Sequence, residues 1–182
     1  MPILKGPNIR LRLFDPSEIE AHVAHLNTRD VYPDQSFTLV SFQKFASLYA
    51  QNNFLTADSG VLAIDVHRPP TPKKHIGHAS FYVAHPSLEN LEVDVKIHLP
   101  AHNTSALHEE AYRLLCGYLF SERPIARLQT MLAPNDETGK KGACAAGFKH
   151  EGRLVSMFFA NGRWCDLDLY AVLREEWAVA AR

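Results

Sequence analysis

The sequence predicts an α/β chain in which strands alternate with amphipathic helices, and three observations carry that expectation. Residues 91–99 alternate strictly, with Val93, Val95, Ile97 and Leu99 on one face and Glu92, Asp94, Lys96 and His98 on the other; a period of two is that of a half-buried strand. After a short polar loop the period changes, and Leu107, Ala111, Leu114, Leu115 and Tyr118 recur at helical spacing, enough for an amphipathic helix of about four turns. Six further segments, 9–13, 61–66, 76–83, 125–133, 154–160 and 164–173, read as strands, so about seven are expected in all.

Taken in order, Ile9, Leu11 and Leu13 alternate with Arg10 and Arg12 in the first strand. Asp15-Pro16-Ser17-Glu18 then opens a helix: aspartate caps orphan amides, proline suits the first helical position, and glutamate three residues on completes a capping box. Ile19, Val23 and Leu26 form its buried stripe. Residues 28–38 form a loop holding Tyr32-Pro33-Asp34-Gln35, and Ser41 starts a second helix with Phe42, Phe45, Leu48 and Tyr49 on one face. Residues 67–74, with three prolines and three cations, read as a stiff solvated connection after the second strand. A Pro86-Ser87 turn precedes the central strand, and Pro100 ends it because proline has no amide hydrogen for a ladder. Asn161-Gly162 between the last two strands is a type I′ hairpin signal. No repeat or long linker divides the chain, so one domain over 1–182 is expected.

Composition excludes several classes. A chain of 182 residues, 46% hydrophobic and 21% charged, is long enough for one sizeable core. A net charge of −1 leaves no basic footprint for nucleic acid. No apolar run approaches the roughly eighteen residues of a membrane span, and Met1-Pro2-Ile3-Leu4-Lys5 has no apolar core of a secretory signal. Cys116, Cys144 and Cys165 are few and widely spaced, as expected of reduced thiols in a cytoplasmic protein, monomeric or homodimeric. The ten histidines include His22 and His25 on one helix face, but no ligand motif accompanies them. They read as scattered solvated side chains, and no metal is expected.

The stretch 91–120 resembles the acyl-CoA-binding core of the GNAT N-acetyltransferase superfamily, and within it the ribosomal-protein N-terminal acetyltransferase (RimJ/RimL-like) branch. That branch carries an R-G-x-G-x-A loop followed by E-A-x-R-L-L in the helix. Glu110-Ala111-Tyr112-Arg113-Leu114-Leu115 matches the helix part, whereas the loop is degenerate: the family's arginine falls on Asn103 and its glycines on Thr104 and Ala106. Ile76-Gly77, Asn135-Asp136-Glu137-Thr138 (for N-x-x-S, with Thr138 as the cap), Gly147-Phe148-Lys149-His150-Glu151-Gly152-Arg153, and the spacing of Asp166, Tyr170, Leu173 and Trp177 extend the likeness over most of the chain.

The resemblance implies a mixed, mostly antiparallel central sheet flanked by helices, the GNAT fold, with acetyl-CoA as co-substrate. It implies direct attack of a primary amine, from a peptide N-terminus or a small molecule, on the thioester. Glu92 or Asp94 on the central strand's polar face would accept the proton, and Ile97, His98 and Leu99 would run beside the acyl-CoA. Asn103, Thr104, Ser105, Ala106 and Leu107 would surround the pyrophosphate at a helix N-terminus, where unpaired amides and the helix dipole attract anions. Asn103 can adopt left-handed geometry there. Asn135 would meet the pantetheine arm, and Lys140 with Lys141 a phosphate. Two other readings stay open: a GNAT-fold binding protein without acetyl-CoA, and the same fold turned to another small-molecule reaction.

Overall fold

The computed structural model describes residues 2–28, 39–66, 74–84 and 90–180. The loop with Tyr32, the proline-rich connection over 67–73 and the Pro86-Ser87 turn lie outside them. Eight strands build one sheet: β1 (Pro2–Lys5), β2 (Ile9–Arg12), β3 (Ser59–Val66), β4 (Lys74–Val83), β5 (Asn90–Ile97), β6 (Arg127–Leu132), β7 (Lys149–Ala160) and β8 (Arg163–Leu173). Their order is β1-β2-β3-β4-β5-β6-β8-β7, and every neighbouring pair is antiparallel except β5 and β6. The strand beyond the expected seven is β1, whose four residues are too short to show a period. Glu110 secures its turn to β2 by accepting from the amides of Asn8 and Ile9 at 2.8 and 2.9 Å.

The described residues also form the helices α1 (Ile19–Leu26), α2 (Phe42–Asn52), α3 (Ser105–Glu122), α4 (Glu137–Ala145) and α5 (Arg174–Ala180). The capping box at Asp15 forms as its spacing predicts, with Glu18 accepting from the Asp15 amide at 2.8 Å. Its first turn is a short 3₁₀ piece before α1. Asn161 and Gly162 both take positive φ, 53° and 76°, as a type I′ turn demands. At α4 the expected cap is displaced. Asp136, not Thr138, accepts from the Gly139 amide, so the cap lies two residues earlier than the N-x-x-S spacing implied.

One face of the sheet packs against α3. Leu91, Val93, Val95 and Ile97 of β5 are buried there, as their alternation predicts. The buried stripe of α3 is rotated from the expected one: Ala111, Tyr112, Leu115, Cys116 and Leu119 are fully enclosed, while Leu114 and Tyr118 are only partly so. The helix is hydrophobic over a wide arc, and the sequence alone does not say which edge of that arc meets the sheet. On the opposite face α1 and α2 cover a smaller core of Phe14, Ile19, Val23, Phe54 and Ala63. Of the α2 aromatic face, Phe45 and Tyr49 join that core, whereas Phe42 and Leu48 remain 44% and 41% exposed.

Val95 is 1% exposed beneath α3. Val95→Asp should therefore cost about 3–5 kcal/mol, the range for an unpaired buried charge. A urea midpoint equal to that of the parent would show that this face is not in the core.

Candidate active site

The site begins with an interrupted ladder. β5 pairs with β4 along most of its length, from Leu91–Val83 to Ile97–Gly77. Its pairing with β6 stops after Asn90–Arg127, Leu91–Leu128 and Glu92–Gln129. Beyond that row the two parallel strands pair no further and form a fork. Buried Tyr112 of α3 reaches Thr130 of β6 across 3.2 Å, and its ring lies 5.2 Å from that of Phe148. The backbone of β5 from Val93 onward offers its β6-facing side to anything lying in the fork.

Glu92 stands at the fork's apex, in the last paired row. It is 7% exposed, accepts a hydrogen bond from the Tyr82 hydroxyl, and lies 3.5 Å from the donating Gln129 amide. These three residues are cross-strand neighbours on β4, β5 and β6. Burial pushes the Glu92 carboxyl above the usual carboxylate range, and Tyr82 and Gln129 only partly oppose it. The Tyr82 hydroxyl is itself pushed up, by burial and by Glu92, so it stays protonated and donates. Asp94 differs: its carboxylate pairs with Lys96 at 3.2 Å. The structure thus separates the two candidates: Glu92 is buried, with its pKa raised by desolvation, whereas Asp94 is held by Lys96. Sequence reasoning missed Tyr82 and Gln129, since only strand register brings them to Glu92.

At the open end of β5, Pro100–His102 forms a single 3₁₀ turn before α3. The amides of His102, Asn103 and Thr104 donate back to Leu99, Pro100 and His102 carbonyls. Thr104 caps α3, its hydroxyl accepting from the Leu107 amide at 3.4 Å. This narrows the expected cradle: within 102–107, the first-turn amides of Ser105 and Ala106 are the ones left to meet an anion. Asn103 is not left-handed, with φ of −77°, and its side chain bonds His108 at 2.8 Å. Thr104 and Ala106, where the family has glycine, are exposed, whereas Ile97 and His98 are buried and Leu99 is partly so. Close approach occurs elsewhere. A Cβ on Gly142 of α4 would sit 2.4 Å from His108 Cβ and 3.0 Å from the Ser105 carbonyl, so α4 presses on the first turn of α3 through a glycine.

Lys140 is not turned toward this turn. Its ammonium lies 3.4 Å from both Asp168 and Glu137 and donates to the Pro134 carbonyl. Arg153 also holds Asp168, at 2.7 Å. Asn135 is exposed and borders an open cavity of about 380 Å³ with Arg153, Phe158 and Trp164. The histidines depart furthest from expectation. His22, His78 and His98 are buried, and they gather with His25 and His75 on the sheet face that carries Glu92. Burial first, then neighbouring charge, pushes His22 down to about 2 and His78 and His98 down to about 3. They are neither scattered nor solvated.

The architecture is the GNAT acyltransferase fold. Among solved structures, the chain is similar to a spermidine N-acetyltransferase from Vibrio cholerae in complex with CoA and spermine, with a TM-score of 0.78 at 18% identity, covering 95% of this chain and 99% of that one. It is also similar to a GNAT-family acetyltransferase from Bacillus anthracis (TM-score 0.76, 17% identity, 94% and 98% covered). A third is RimL, a ribosomal L7/L12 α-N-protein acetyltransferase in complex with coenzyme A (0.74, 15%, 95% and 98%). No protein-family model matches the chain, and no curated protein matches it in sequence.

Two outcomes follow from this geometry. A raised Glu92 pKa means that its protonated form supports folding, a contribution complete below the unfolded-state pKa and lost as pH rises through the folded one. Glu92→Gln should therefore gain stability relative to the parent across that window; parallel urea midpoints at all pH values would contradict it. Gly142→Ala should destabilise by about 1–3 kcal/mol through overpacking. An unchanged thermal midpoint would mean that α4 does not bear on α3.

Proposed function

We propose that the protein is an N-acetyltransferase that moves an acetyl group from acetyl-CoA to a primary amine, with Glu92 as the proton acceptor. The single observation that carries this is the Glu92 carboxyl, buried at the apex of the β5–β6 fork and flanked by Tyr82 and Gln129. An amine is protonated in water and must lose a proton to attack a carbonyl. A carboxylate with a raised pKa is a better base for that step than a solvated one. The cofactor's residues fit in part. The β6-facing side of β5 past Glu92 suits an extended amide-bearing arm, and the Ser105 and Ala106 amides at the start of α3 suit a phosphate. When bound, acetyl-CoA supplies an activated thioester. The chain holds the amine, removes its proton at Glu92 and offers a β5 amide to the developing oxyanion.

In the same reading the acceptor is a peptide N-terminus or a small amine, the two classes named for the structural neighbours, and the chain sits in the RimJ/RimL-like branch with a degenerate loop. It is one domain over 1–182, monomeric or homodimeric, and acts in the cytoplasm without nucleic acid or membrane. No helix among the described residues is long and apolar enough to cross a bilayer, and its three cysteines are free. One observation favours a second reading, a binding protein that has lost acetyl-CoA: the loop amides of His102, Asn103 and Thr104 are already donated within the loop.

Kinetics and calorimetry separate the two. Glu92→Gln should lower turnover about a hundredfold to ten-thousandfold and remove an acid limb of the pH–rate profile that lies above the ordinary carboxylate range. Asp94→Asn should keep that limb. Turnover unchanged in Glu92→Gln would remove it from the mechanism. For the cofactor, Thr104→Gly/Ala106→Gly should tighten acetyl-CoA binding by letting phosphate approach the first turn, less up to about 1 kcal/mol per glycine for added chain entropy. If neither the parent nor this variant gives heat at millimolar acetyl-CoA, the binding-protein reading stands instead.

A further inference from the structure

A tyrosine ordinarily lays its ring on apolar surface and leaves its polar tip toward water. Tyr82 of β4 turns its hydroxyl inward instead: the residue is 43% exposed, yet the hydroxyl donates to the carboxyl of Glu92, which is 7% exposed. The two are cross-strand partners, and their contact fixes one end of the carboxyl. Tyr82 holds Oε1 from the β4 side, while Oε2 lies on the β6 side, 3.5 Å from the Gln129 amide. Gln129 is in turn oriented by Arg127, whose Nε donates to its side-chain carbonyl across 3.4 Å and leaves the amide end to face Glu92. The other Arg127 nitrogens hold Glu151 of β7. Past this row β5 and β6 pair no further, so Oε2 is the carboxyl oxygen on the side of the fork.

We propose that Tyr82 is a positioning residue for acyl transfer, holding Oε1 of Glu92 so that Oε2 is the oxygen presented to the incoming amine. This rests on the reading of Glu92 as the proton acceptor. In that step an ammonium gives one proton to Oε2, and the freed nitrogen lone pair forms the bond to the acyl carbon. The carbon–sulfur bond breaks, the nitrogen's second proton leaves with the thiol, and Glu92 returns its own to water. A hydroxyl that donates to a carboxylate also favours the ionised form. Burial, aided by Asp94 on the same strand, pushes the Glu92 carboxyl up, and Tyr82 and Gln129 pull against it. Tyr82 makes the closer contact of the two. The cations of this face are engaged elsewhere, Lys96 with Asp94 and Arg127 with Glu151. Burial and Glu92 push the Tyr82 hydroxyl up, so it stays a donor and does not compete for the amine's proton.

The test is Tyr82→Phe in the full-length protein, which removes one oxygen and keeps the ring. Isotope-labelled glutamate carboxyls report Glu92 directly by magnetic resonance, with Glu92→Gln identifying its signal. Without substrate, Glu92 in Tyr82→Phe should titrate about one pH unit above the parent, as expected for losing one hydrogen bond to an ionised group. With acetyl-CoA and either spermine or a peptide with a free N-terminus, the acid limb of the pH–rate profile should move up equally. On the plateau above it kcat should fall about tenfold, within the roughly hundredfold that a misplacement of about 1 Å costs. The KM for acetyl-CoA should stay within about twofold, since the contact is not with the cofactor. An unmoved Glu92 titration in Tyr82→Phe would overturn the proposal, and so would a moved titration with kcat on the plateau unchanged. If Glu92→Gln is inactive while Tyr82→Phe matches the parent, this inference alone falls. If Glu92→Gln is as active as the parent, or the parent transfers no acetyl group, the proton-acceptor reading falls and takes this inference with it.

Discussion

The single parallel pairing, β5 beside β6, is the constraint on which the rest of the structure depends. Parallel neighbours cannot be joined by a tight turn, so the chain must cross over between them, and α3 is that crossover. The crossover sets the N-terminus of α3 at the end of β5 where the fork opens. Everything that an acyl donor would touch is thereby collected at one end of the sheet. Ending the ladder at the Glu92–Gln129 row has a second effect: it leaves a carboxylate at the apex, walled by Tyr82 and Gln129, where burial raises its pKa.

The motif at 110–115 is chiefly architectural. Glu110 binds the amides that start β2, and Arg113 donates to the Ala145 carbonyl at the end of α4, 2.6 Å away. Arg174 performs a similar task at the other end of α3, donating to the carbonyls of Phe120, Arg123 and Ile125. These contacts hold a helix between neighbours whether or not a phosphate sits at its start. The contacts of this stretch therefore do not depend on what lies in the loop before α3. Glycine is needed where α4 meets the first turn of α3, at Gly142 beside Ser105 and His108.

The histidine cluster owes its existence to a bulge. β3 and β4 keep register up to Ile64–Gly77, then Asp65 pairs with His75, leaving Ile76 as an extra residue. A strand's period of two would send residues three apart to opposite faces. The extra residue breaks that period and brings His75 and His78 to the same side, facing His22 and His25, which helical spacing already places together.

By itself, the sequence determined the elements and their inward faces. The alternation at 91–99, the Asp15 capping box and the Asn161-Gly162 turn are short-range signals, set by local periods and by backbone preferences that need no distant partner. Boundaries shifted by a few residues, and the four-residue β1 was too short to register. Tertiary structure alone decided which of Glu92 and Asp94 is buried, because that depends on Tyr82 and Gln129 arriving from neighbouring strands while Lys96 claims Asp94. It alone decided that Lys140 faces Asp168, and that five histidines from three separate segments pack together. Register, bulges and the seating of a helix on a sheet are properties of pairs of elements, and no single stretch of sequence carries them.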